Sequence, residues 1–148
     1  MQDPFVSIVP ENIQNLVPYP PGKPLSELAR ELGVESAIKL ASNENSFGPS
    51  PKALEAIQTE LSELHRYPDG GAWFLRERLN KHVGVPGNQL ILGNGSNEVI
   101  ELLIRTFGTP EHGVLTSDTT FVVYKLISQA AGVPFKSVPM AGLTFDLV

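Results

Sequence analysis

Gly93-Asn94-Gly95-Ser96-Asn97-Glu98 is the stretch whose residue types and spacing point most directly to chemistry, because it follows a short apolar run and opens a helical pattern. Glycines let a backbone turn and come close to a ligand. The free N–H groups and positive dipole end of a helix start favour an anion by roughly 0.3–2 kcal/mol. Gly95, Ser96 and Asn97 are therefore candidate phosphate binders, with a ligand-free helix cap at Ser96 or Asn97 as the competing reading. A dinucleotide fingerprint is incomplete here, since Glu98 stands where the third glycine belongs, although Asp118 mimics a ribose-binding acid. No Gly-Lys-Ser/Thr triplet occurs, which removes the P-loop.

Phe121 lies where the next apolar run hands over to its helix, so its ring either stacks on a planar ligand or packs into the core. Tyr67, in His-Arg-Tyr-Pro-Asp-Gly-Gly, offers a phenolic donor on a loop or is a half-buried packing residue. His65, His82 and His112 have no close ligand spacing, so no metal site is expected. Glu98 and Glu101 read as helix-face charges, and Ser96 has no triad partners at recognisable motif positions. The absence of cysteine excludes disulfides, thiolate metal ligands and thiol nucleophiles.

The elements that must position these residues follow from the rest of the chain. Its 148 residues, 41% of them hydrophobic, carry a formal charge of −5, which suits a folded domain with no basic footprint for nucleic acid or an anionic membrane. No secretory leader or membrane span is apparent, so cytoplasmic residence is the expectation. Six prolines in residues 1–24 predict an extended arm, with neither a helix nor a central strand running through most of it, packed on some other surface, with a partner subunit as one candidate. Helices are predicted from Pro24 to Gly33, over 51–64 and over 72–83, with a short strand and polar loop in 38–51. From residue 89 the pattern is β-α-β-α-β, an α/β arrangement whose parallel strands present ligands at their carboxyl ends.

Four motifs in order, KLASNENSFGPSP (39–51), HRYPDGGAWFLRERL (65–79), ILGNGSNEVIELL (91–103) and Thr-Phe-x-x-Tyr within 119–124, resemble those of histidinol-phosphate aminotransferases, from about Tyr19 to the last residue. The resemblance implies the first part of the pyridoxal-phosphate-dependent transferase (aspartate aminotransferase-like) fold. Residues 1–48 would be the arm and the start of a small domain, and 49–148 the first portion of a large cofactor-binding domain. It also implies pyridoxal 5'-phosphate as cofactor, with Gly95, Ser96 and Asn97 at its phosphate, Phe121 on its ring, and Tyr67 reaching the phosphate held by the other subunit of a homodimer. Tyr19 and Asn43 would lie on the substrate side.

The implied activity is transfer of an amino group between L-histidinol phosphate and 2-oxoglutarate in histidine biosynthesis. A related aminotransferase, a threonine-phosphate decarboxylase, or a non-catalytic α/β nucleotide- or phosphate-binding module are the alternatives. Ser46 and Thr119 stand where the family commonly has proline. None of the six lysines lies in the family's lysine motif, so this stretch alone is expected to be an inactive, N-terminal fragment with no catalytic residue of its own.

Overall fold

Two short runs, Val114–Ser117 (β1) and Phe135–Val138 (β2), pair in parallel, Val114 against Phe135 and Ser117 against Val138. Parallel neighbours need a crossover, and Val123–Ala131 (α6) supplies it. The computed structural model describes residues 8–35 and 37–146. The described residues fall into two compact units, one comprising those up to Pro20 with those from Ile91 onward, the other Pro21–Leu90.

In the first unit, Ser96–Phe107 (α5) packs on α6. Ile100 and Ile104, four apart on one face of α5, meet Val123 and Val133 in a small core, with Val114, Tyr124 and Ile127 around it. Each such fully buried aliphatic side chain stabilises by about 1.5–3 kcal/mol. α6 ends at Gly132, whose left-handed φ of 69° reverses the chain so that Val133 returns to the core.

The apolar run 90–93, expected as the first strand, is extended but forms no strand. β1 pairs with β2, and no ladder bond reaches Ile91 or Leu92. The described strands and helices therefore run α-β-α-β in place of β-α-β-α-β. The arm holds one short element. Glu11–Gln14 (α1) makes a single helical turn, which Pro10 permits because it sits at the N-cap and interrupts no interior hydrogen bond.

In the second unit, Leu25–Leu32 (α2) ends at Gly33, Pro51–Glu60 (α3) continues as a 3₁₀ turn Leu61–Glu63, and Trp73–Val83 (α4) ends at Gly84. The predicted helix 51–64 thus loses regular α geometry after residue 60. The predicted start at 72 moves to 73 because Ala72 is left-handed, with φ 50°. The expected strand within 38–51 does not form; Ile38 and Leu40 are exposed and unpaired in any ladder. No described residue of this unit is fully buried. Its order rests on local hydrogen bonds, chiefly those of Arg76, which donates to the carbonyls of Gly71 (2.9 Å), Gly87 (2.7 Å) and Leu90 (2.6 Å).

Candidate anion and aromatic site at the helix starts

Gly95 takes φ 78° and ψ 174°, a region open in practice to glycine alone, and serves as the N-cap of α5. Ser96 and Asn97 are therefore the first two residues of the helix, and no side chain caps it. The capping alternative read from the sequence for these two residues does not hold. Glu98 turns back to accept from the Asn94 N–H and side-chain amide, which leaves the first-turn N–H groups of Ser96 and Asn97 uncapped.

α5 ends beside the start of β1, where Phe107, Gly108 and Val114 share one groove, so its N-terminus points toward the carboxyl edge of the sheet. α6 starts just after β1 and ends before β2, which gives it the same polarity. The starts of both helices thus belong to one end of the unit, the end at which open parallel sheets take ligands. Phe121 precedes α6 there, at 47% exposure, and lines a cavity of about 250 Å³ with Asp118, Thr120, Lys125 and Ser137. It is not a core residue, which removes the packing alternative. Lys125 was not singled out by sequence reasoning, since one lysine on a helix carries no signal until the cavity beside it is seen.

Tyr67 is fully exposed, so the half-buried reading falls as well. The turn that presents it is ordered by Asp69, whose carboxylate accepts from the N–H groups of Gly71 (2.9 Å) and Trp73 (2.8 Å). Those donors, Trp73 first and then Gly71, hold its carboxyl below the usual carboxylate pKa. Tyr19 is about half exposed on the extended part of the arm. Asn43 is exposed and left-handed (φ 48°), directly after Ser42 (φ 72°), so two successive non-glycine residues hold a costly conformation. Among the described residues no group of three or more His, Asp or Glu side chains is placed to hold a metal, and no helix is long and apolar enough to cross a membrane.

The unit thus places uncapped helix N–H groups at the start of α5 and a half-exposed aromatic before α6, in an α/β arrangement. Residues 35–148 match the family model described as aminotransferase class I and II, and the chain belongs to that family. It is 49% identical over 139 residues to a histidinol-phosphate aminotransferase of Desulfotalea psychrophila, which covers 94% of this chain and 37% of that protein. With histidinol-phosphate aminotransferase 1 of Nitrosococcus oceani it shares 46% over 143 residues, 97% of this chain and 39% of the relative. The chain thus spans about two fifths of the length of these relatives. Its fold is similar to that of a histidinol-phosphate aminotransferase from Sinorhizobium meliloti solved in complex with pyridoxal-5'-phosphate. The TM-score is 0.77 at 24% identity, over 91% of this chain and 35% of that one.

Proposed function

We propose that this chain is the N-terminal part of a cytoplasmic, homodimeric, pyridoxal-phosphate-dependent aminotransferase. The complete enzyme exchanges an amino group between L-histidinol phosphate and 2-oxoglutarate in histidine biosynthesis. The observation that carries the reading is the uncapped start of α5, where Gly95 turns the chain and Ser96 and Asn97 offer N–H groups with no side-chain competitor. That arrangement fits a phosphate group, which needs several donors and a positive dipole end. Residues 1–48 then form the arm and the beginning of a small domain, and 49–148 begin the large domain, in which Leu90–Gly93 completes the β-α-β-α-β order.

When bound, the cofactor supplies the electron-accepting ring chemistry of amino transfer. The residues of this chain hold and orient. Gly95, Ser96 and Asn97 grip the phosphate, Phe121 stacks on the ring and excludes water from one face, and the exposed Tyr67 donates its phenol to the phosphate held by the other subunit. Tyr19 and Asn43 contact the amino donor. Neither a nucleic acid nor a membrane enters this scheme.

The test is to purify the complete protein, add pyridoxal phosphate, L-histidinol phosphate and 2-oxoglutarate, and follow glutamate. Glutamate formation is expected. Release of carbon dioxide from threonine phosphate without glutamate formation would replace this reading with a decarboxylase, and cofactor binding with neither activity would leave a binding module.

A further inference from the structure

We propose that Asn12 is a positioning residue, a latch that ties the N-terminal arm to the carbonyl end of α6 and thereby sets where Tyr19 sits. The Asn12 carboxamide nitrogen donates to the carbonyls of Gln129 (3.0 Å) and Ala130 (3.1 Å), and the Gln129 carboxamide returns a bond to the Asn12 carbonyl (3.3 Å). Both acceptors lie in the last turn of α6, where the Gln129 carbonyl also accepts from the Gly132 N–H (3.0 Å). The left-handed Gly132 ends the helix there.

The latch acts at a distance because the intervening chain is stiff. Pro18, Pro20 and Pro21 fix φ at their own positions, and each disfavours the helical state in the residue before it, so Val17 and Tyr19 are held extended. An extended proline-rich segment advances about 3.1 Å per residue, so the three steps from Leu16 to Tyr19 make a spacer of roughly 9 Å. Movement of α1 on α6 is therefore passed on to Tyr19.

This inference rests on the proposed function for what Tyr19 touches, but the latch can be read apart from it. In the complete enzyme, Asn12→Asp keeps the shape and puts a carboxylate against two carbonyls at the negative end of a helix. Gln129→Met removes the return donor and leaves the backbone carbonyls in place. Each change is expected to speed amide exchange over residues 13–16 and to raise KM for the amino donor about five- to tenfold with kcat near its original value. Affinity for pyridoxal phosphate is expected to stay the same, and Asn15→Asp, an equal charge change on an exposed residue, to leave KM unmoved.

An active enzyme whose KM does not respond to either change overturns the proposal, as does an equal response to Asn15→Asp. Unchanged exchange over 13–16 overturns it even if the complete protein has no aminotransferase activity. Faster exchange in the variants of a parent protein that shows no turnover would instead sink the proposed function and keep the latch.

Discussion

Asp69 makes the turn before α4 sensitive to acid. Its folded-state pKa is lowered by the Trp73 and Gly71 N–H groups, so its contribution is present above the unfolded value and is lost as pH falls through the folded one. Trp73 is the sole tryptophan and donates one of these bonds through its own backbone N–H. Its fluorescence should report loosening of the turn in acid, and Asp69→Asn should flatten that acid transition. Arg76→Met keeps the stem but removes three bonds to carbonyls, and is expected to destabilise unit Pro21–Leu90 by about 1–3 kcal/mol in urea melts. At the proposed phosphate site, Asn97→Glu in the complete enzyme should weaken cofactor affinity about tenfold or more, measured by spectroscopic titration. Unchanged affinity would count against that assignment. Residue types alone placed a helix start at Ser96 and Asn97. They did not identify Arg76, whose acceptors are backbone carbonyls that leave no mark in composition.

At the scale of elements, helix ends were the most legible feature, because the signals are local. Gly33 and Gly84 stop α2 and α4 where the sequence places them, and Gly132 stops α6, each in the left-handed region. Gly132→Ala should therefore cost about 1 kcal/mol or more in thermal unfolding, since a Cβ is strained at that φ. Strands were less legible, because a strand exists only when another backbone pairs with it. Ile38–Leu40 and Leu90–Gly93 have strand-like composition, yet neither has a ladder partner. The amides of Ile91 and Leu92 are thus expected to exchange freely in the isolated 148-residue chain. In the complete protein, where the proposed strand order is filled, they should be protected, and hydrogen exchange by NMR compares the two.

For the molecule as a whole, the balance of buried and exposed apolar surface stands out: among the described residues four hydrophobic side chains form the buried core, while Phe47, Leu64, Phe74 and Phe107 are among many that face outward. Isolated chain should bind a hydrophobic dye and associate with rising concentration, checked by sedimentation. Overall composition announced a foldable α/β chain but not this imbalance, since a count of apolar residues does not say which surfaces meet. The arm shows the same limit, for its prolines announced an extended segment while its anchor, Gln129, lies 117 residues away. That separation also orders events in time. The parallel pair Val114 with Phe135 closes a loop of 21 residues, and bringing Asn12 to Gln129 costs about 1.5 kcal/mol more in closure entropy. During synthesis Asn12 leaves the ribosome 117 residues before Gln129, and the arm stays accessible to proteases and chaperones until α6 has emerged and folded.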